Sequence, residues 1–198
     1  KVLASYHDAK LVIAGKGGML DELKAQADYL GISNKVYFAG YMNGKDVERM
    51  YKAADISVFP STYEPFGIVA LEAMLAGVPT VVSDVGGLNE IVEHRVNGMK
   101  AYCGNPNSIA DSVLSILYDG KLANNIAKNA KAKVKEEFNW NKIAQDTHYI
   151  YEKAICKTVA EKQAEEIEQE KAKKAAKAKN TDSEIVNLLN FKKKHAYA

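Results

Sequence analysis

Ser61 to Val82, STYEPFGIVALEAMLAGVPTVV, places one carboxylate in a proline-containing loop, a glycine at a helix entrance and a second carboxylate inside that helix. Pro65 suits a first helical position because its missing N–H is not needed there, so the spacing predicts a helix beginning near Phe66 or Gly67, with Glu64 at its entrance. Ile68, Glu72 and Leu75 follow i, i+4, i+7 spacing and share one face. A carboxylate on an apolar face needs hydrogen-bond donors, because burying it without them is costly. Two readings of Glu72 stay open: an acceptor for a hydroxyl-rich ligand, or a structural carboxylate satisfied by its own protein. The entrance adds unbonded N–H groups, the positive end of the helix dipole and a glycine that allows close backbone approach, which together suit a phosphate.

Working outward, the chain opens with KVLASYHDAK, the end of a helix followed by a turn. Lys10 to Ala14 reads as a strand running into Gly15-Lys16-Gly17-Gly18, and Leu20, Leu23, Ala27 and Leu30 mark a helix closed by Gly31. Val36 to Ala39 is a second strand, Val47, Met50, Tyr51 and Ala54 mark a helix, and Ile56 to Phe59 is a third strand ending at Pro60. Beyond the central stretch come a strand over Thr80 to Ser83, a short helix opened by Gly86-Gly87 over Leu88 to Val92, and a fifth strand over Met99 to Tyr102. Strands alternating with helices imply crossover connections and a parallel, doubly wound α/β sheet. Ligands of such sheets sit outside the carboxyl ends of the strands. The Gly15 to Gly18, Gly40-Tyr41, Glu64 and Asp84 to Gly87 loops are all expected on that rim. Asn105 then caps a helix that begins at Pro106, and two more follow, over about 121 to 137 and 140 to 156.

A chain of 198 residues with 47% hydrophobic content can bury one substantial core. Net charge is +2, and the segment from Lys157 onward holds ten Lys against seven acids, so the part before it is slightly acidic and is not a nucleic-acid binder by charge. Cys103 and Cys156 form neither a metal spacing nor a disulfide framework, and the four histidines are scattered. No apolar run reaches the about 20 residues that cross a bilayer and no signal-peptide pattern opens the chain, so the expectation is a cytoplasmic protein. The expected division is residues 1–156 as the globular domain and 157–198 as a charged helical or disordered tail. Ile185, Leu188, Leu189 and Phe191, followed by Lys192 to Lys194, make the tail a candidate for weak peripheral contact with an anionic membrane surface, against the simpler expectation of a loose tail. Gly15-x-Gly17-x-x-Leu20 lacks the third glycine of a dinucleotide fingerprint, and no phosphate-loop motif occurs.

The run E-P-F-G-I-V-A-L-E-A-M at 64 to 74 resembles the E-x7-E signature of retaining, nucleotide-sugar-dependent glycosyltransferases with the GT-B fold, the family that includes glycogen and sucrose synthases. The resemblance extends through LVIAGKGG at 11 to 18, VYFAGYM at 36 to 42, MYKAADISVFPS at 50 to 61, GVPTVVSDVGGLNEIV at 77 to 92 and Asn97-Gly98, and so covers residues 1 to 155. It implies the donor-binding, Rossmann-like C-terminal half of a hexosyltransferase. Glu72 would accept from the ribose hydroxyls of a UDP-, ADP- or GDP-sugar. Glu64 and the N–H groups of Phe66 and Gly67 would orient the sugar, those of Ile68 and Val69 would meet the diphosphate, and Tyr41 and Met42 would bracket the base, with Gly15 approaching the same pocket. It further implies no metal, no other cofactor, and an acceptor sugar, glucan or lipid held by an N-terminal domain.

Two family features have no counterpart here: an Arg and a Lys after the first strand of this domain, which neutralise the departing diphosphate, and the N-terminal domain itself. With strand order 3-2-1-4-5-6, the absent first strand would lie between the Lys10 to Ala14 and Ile56 to Phe59 strands. The chain is then either truncated or completed by another segment or chain, and alone it is expected to be inactive. A glycogen- or starch-synthase-like glucosyltransferase is one subclass; the alternative is a non-catalytic nucleotide-sugar-binding or interaction module. A sugar-nucleotide epimerase would lack the E-x7-E pattern.

Overall fold

The expected strands all form, and each of their pairings is parallel, but they fall into two ladders rather than one sheet. The computed structural model describes residues 1–194, with side-chain surroundings through residue 171 and at Lys173. The apolar turn at Ile185, Leu188, Leu189 and Phe191 lies outside the described side chains. The chain forms two compact units, one over residues 1–139 and one from Trp140 onward.

In the first unit, helix α1 (Val2–Ser5) leads to β1 (Leu11–Ala14), α2 (Leu20–Tyr29), β2 (Val36–Gly40), α3 (Gly44–Ala53) and β3 (Ser57–Phe59). The stretch α4 (Ile68–Ala76), β4 (Thr80–Ser83), α5 (Gly86–Ile91), β5 (Met99–Ala101), α6 (Pro106–Tyr118) and α7 (Gly120–Glu137) completes it. β1 pairs with β2 in one ladder, and β3, β4 and β5 form the other in that order.

The core belongs almost wholly to the second ladder. Side chains alternate across a strand, so Val58 and Val81 pack on one face with Ile109, Val113 and Ile116 of α6, while Phe59 and Val82 pack on the other with α4 residues. Met74, Leu88 and Val82 lie at the heart of that second face, at most 1% exposed. Tyr51 of α3 joins Ala73 and Val78 beside them. Polar groups at the strand starts are paired: Ser57 Oγ lies 2.9 Å from Thr80 Oγ1, which also donates to the Val78 carbonyl. The Asn97-Gly98 pair is structural. Asn97, buried, accepts from the Glu93 amide at 2.7 Å and donates to the Ile91 carbonyl, and a Cβ on Gly98 would meet Val92 Cγ1 at 2.7 Å. Asn105 caps α6 as expected, accepting from the amides of Asn107 and Ser108.

Three expectations are corrected. α4 starts at Ile68, just past the expected start near Phe66 or Gly67, because Gly67 takes a left-handed φ of 103° and stands as the cap. Its Ile68, Glu72 and Leu75 do share a face, but that face is exposed rather than buried, Ile68 at 63% and Leu75 at 45%. The last helix, α8 (Trp140–Lys194), runs without a break through Lys157, so the change of composition falls inside a helix. The second unit is this helix, whose described large apolar residues are exposed, Trp140 at 84% among them, and which carries i, i+4 ion pairs such as Lys142–Asp146. No helix among the described residues is long and apolar enough to cross a membrane.

If the core lies with the second ladder, Met74→Ala lowers unfolding free energy by about 2–5 kcal/mol. Leu11→Ala, at a side chain half exposed on β1, changes it by less than about 1 kcal/mol; urea unfolding of the two variants measures the contrast.

Candidate functional site

The carboxylate-bearing loop after β3 is held by backbone-to-backbone packing. The Gly87 amide donates to the Glu64 carbonyl at 3.0 Å. A Cβ on Gly87 would lie 2.6 Å from Phe66 Cα and 2.7 Å from the Pro65 carbonyl oxygen, and one on Gly86 would fall onto the Glu64 carbonyl. Only glycine lets the start of α5 approach the Glu64-Pro65-Phe66 backbone so closely. Gly67 is equally constrained: besides its positive φ, a Cβ there would meet Leu88 Cδ2 at 2.7 Å. The ring of Phe66 packs edge-on against Phe138, centroids 6.1 Å apart.

This packing points the start of α4 outward. Gly67 supplies its carbonyl to the amides of Ala70 and Leu71, whereas the amides of Ile68 and Val69 make no hydrogen bond among the described residues. Ile68 and Val69 are themselves exposed. Two free N–H groups at a helix entrance form a local positive pole suited to an anion. Glu64, half-buried, and Glu72, exposed, have no hydrogen-bond or ion-pair partner among the described residues. The reading of Glu72 as a carboxylate bonded to its own protein thus finds no partner to support it. Tyr51 sits behind this face: its hydroxyl donates to the Val69 carbonyl at 3.1 Å. Burial pushes its phenol pKa up, and the nearby negative charge of Glu72 adds to the shift.

The other predicted residues gather on the first ladder. The Gly15 amide donates to the Gly40 carbonyl at 2.7 Å, which ties the two rim loops together, and Lys16 Nζ lies 5.6 Å from the centre of the Tyr41 ring. Tyr41 is 71% exposed and Met42 half-buried. The sequence-predicted site therefore assembles as two groups: Gly15 with Tyr41 and Met42, and Glu64 with Phe66, Gly67, Ile68, Val69 and Glu72. No hydrogen bond or ion pair among the described residues joins them.

Reasoning from sequence missed what Gly86 and Gly87 do. It read them as a helix opener on the rim, and their signal, two adjacent glycines just past a strand, marks a close backbone approach instead. It also missed Ser83, the last residue of β4, whose hydroxyl is buried without a partner among the described residues. A cavity of about 610 Å³ lies elsewhere, between β5 and α6, lined by Asp84, His94, Arg95, Lys100 and Asp111 among others. It contains none of the predicted site residues. Among the described residues no cluster of His, Cys, Asp and Glu is placed to hold a metal ion.

Residues 1–133 match the family model described as Glycosyl transferases group 1. An uncharacterized glycosyltransferase of Methanocaldococcus jannaschii is 51% identical over 149 residues, 75% of this chain and 38% of the relative. Glycogen synthase of Mycobacterium tuberculosis is 36% identical over 141 residues, 71% of this chain and 34% of the enzyme. Among solved structures, Anabaena HepE in complex with UDP superposes with a TM-score of 0.68 at 32% identity, covering 73% of this chain and 41% of that one. The chain thus spans well under half the length of these relatives.

Gly87→Ala is expected to lower stability by about 1–3 kcal/mol, since the clash is with backbone and cannot be relieved by a rotamer. Gly17→Ala, where a Cβ meets nothing within 4 Å, changes stability by less than about 0.5 kcal/mol; denaturant unfolding compares the two. Tyr51 supplies a pH test. Its folded pKa is raised, so its contribution is complete below the unfolded value of about 10 and is lost as pH rises through the folded pKa. Tyr51→Phe costs about 1 kcal/mol at neutral pH for the lost hydrogen bond and removes that part of the alkaline loss, as thermal unfolding against pH would record.

Proposed function

This chain belongs to the group 1 glycosyl transferases, and on that premise we propose that it is the donor-binding half of a retaining hexosyltransferase that uses a nucleotide-diphosphate sugar. One observation carries the reading: two unpartnered carboxylates, Glu64 and Glu72, flank a helix entrance whose first two amides are free. An anion at the amides and hydroxyl groups at the acids are the complementary ligand, and a nucleoside diphosphate joined to a hexose carries both.

The roles are those that the resemblance implies. Ile68 and Val69 donate their amides to the diphosphate, Glu72 accepts from the ribose hydroxyls, and Glu64 with the Phe66 and Gly67 amides orients the hexose. Tyr41 and Met42, on the first ladder, bracket the base, with Gly15 beside them. In the transfer, the bond between the anomeric carbon and the diphosphate oxygen breaks. The acceptor oxygen bonds to the same face of that carbon, and its proton passes to the departing phosphate. No protein nucleophile and no metal enter this scheme. Catalysis then rests on positioning and on stabilising charge that develops on the leaving group. The likeness to HepE, whose structure was solved with UDP, supports a uridine nucleotide ahead of ADP or GDP. The similarity to a glycogen synthase supports an α-glucan acceptor as one subclass, beside sugar and lipid acceptors bound by chain outside residues 1–198.

Calorimetric titration of the 198-residue chain with UDP, ADP and GDP, repeated on Glu72→Ala, tests the reading. Saturable binding of UDP is expected, weakened in the variant by about 1–3 kcal/mol, the scale of a lost charged hydrogen bond. Binding that Glu72→Ala leaves unchanged would remove the ribose role from Glu72, and a folded chain that binds none of the three nucleotides would overturn the donor-site reading.

A further inference from the structure

The cavity of about 610 Å³ between β5 and α6 lies along the outer edge of β5. Among the described residues β5 pairs with β4 alone, yet side chains already close its other edge. The Lys100 amide donates to His94 Nδ1 at 3.0 Å, the Tyr102 amide donates to Ser108 Oγ at 3.0 Å, and Ser112 Oγ donates to the Lys100 carbonyl at 3.5 Å. Strand addition needs free amides and carbonyls along an edge. The cavity is therefore no groove for an extended peptide.

Its charges balance and are mostly paired. Asp84 and Asp111 stand against Arg95 and Lys100 in the lining. Lys100 Nζ donates to the Asn89 carbonyl at 2.9 Å and lies 3.7 Å from Asp84, and Asp111 accepts from Lys1 at 2.7 Å. No field of one sign is left to favour a polyphosphate or a cation. The groups left uncommitted are the Arg95 guanidinium, the Asn107 carboxamide and the Tyr102 phenol, which have no hydrogen bond or ion pair among the described residues. Tyr102 is 75% exposed. Arg95 is the one non-glycine residue with a positive φ, 65°, among the described residues, in a turn closed by its amide on the Gly98 carbonyl at 2.7 Å.

An aromatic ring, a planar donor and a carboxamide that both donates and accepts suit an uncharged ligand with hydroxyls on its rim and C–H groups on its face. A pyranose ring has that form. The volume falls within the roughly 300–1,000 Å³ of small-molecule sites, room for a short run of such rings. Position agrees with this chemistry. Cys103, next to Tyr102, has its Sγ 4.0 Å from the Ser61 carbonyl, in the loop that goes on to Tyr63, 81% exposed, and Glu64. A sugar chain leaving the cavity past Tyr102 meets that loop. We propose that the cavity between β5 and α6 is a second carbohydrate site, which holds a neutral oligosaccharide through Arg95, Asn107 and Tyr102 at a place apart from the donor residues. The inference rests on the chain's membership of a sugar-transferring family and not on the roles given to Glu64 and Glu72.

Amide NMR titration of the 198-residue chain with neutral trisaccharides of glucose, mannose, galactose and N-acetylglucosamine tests this. At least one is expected to bind saturably in the millimolar range, with shifts centred on the cavity lining at residues 94–102 and 105–108. Arg95→Gly, which puts at that turn the residue best suited to a positive φ, and Tyr102→Ala are each expected to weaken binding by about threefold to tenfold, the scale of one hydrogen bond or one stacking contact. Saturating UDP is expected to leave the sugar in place. The proposal is overturned if none of the four sugars binds, if either variant binds as the parent chain does, if the shifts centre on Glu64 to Glu72, or if UDP displaces the sugar. Titration with UDP alone reports on the donor site, so a chain that binds sugar without nucleotide, or nucleotide without sugar, tells which of the two readings has failed.

Discussion

The approach of Gly86 and Gly87 to the backbone of Glu64, Pro65 and Phe66 is the constraint on which the site depends. It joins the loop after β3 to the loop after β4 without any side chain between them, held by one hydrogen bond from the Gly87 amide to the Glu64 carbonyl. Gly67 then turns left-handed against Leu88 and starts α4 in a direction that leaves its first amides free. Alanine at Gly86 or Gly87 meets backbone rather than a side chain, and at Gly67 it is strained by the positive φ. The carboxylates are therefore placed by main chain, the stiffest means available, and their own side chains stay uncommitted.

Energetic weight is distributed in the same sense. Val81, Val82, Met74, Leu88 and Ile126 are buried around the second ladder, and each is worth roughly 1.5–3 kcal/mol on transfer from water. The first ladder has no comparable cluster, so its local opening costs less than that of the second. The half of the candidate site built on Glu64 and Glu72 rests on the firm ladder, and the half built on Gly15, Tyr41 and Met42 rests on the labile one.

Much of this was legible in the sequence, for definable reasons. Strand and helix order followed from periodicity and from glycine and proline punctuation, and Asn105-Pro106 announced the start of α6 because a cap and a first-turn proline act locally. The start of α4 was legible to within a residue or two from Pro65 and Gly67, whereas Leu88, the side chain that leaves no room for a Cβ at Gly67, is twenty-one positions away in the chain. The exposure of Ile68 and Leu75 could not be read from their spacing either, since periodicity tells which residues share a face and not what covers it. The split sheet was anticipated only through strand order, a global property that no single stretch encodes. α8 outran its expected end because Lys, Glu, Gln and Ala favour helix without requiring a buried stripe.

The exposed face of α4 carries the last step. Ile68, Val69 and Leu75 leave apolar surface in water around Glu72, an arrangement that adds little to stability, since the exposed part of each side chain gains nothing from burial. Apolar side chains beside an uncommitted acid instead favour a ligand with both a hydrophobic plane and hydroxyl groups. As such a ligand settles, it excludes water from Glu72 and strengthens the hydrogen bonds that Glu72 accepts. Tyr51, bonded to the Val69 carbonyl from behind, holds that face in register while it stands open. In the proposed donor complex the ribose would supply those hydroxyls at Glu72, with the base toward Tyr41 and Met42 and the diphosphate one helical turn away, at the free amides of Ile68 and Val69.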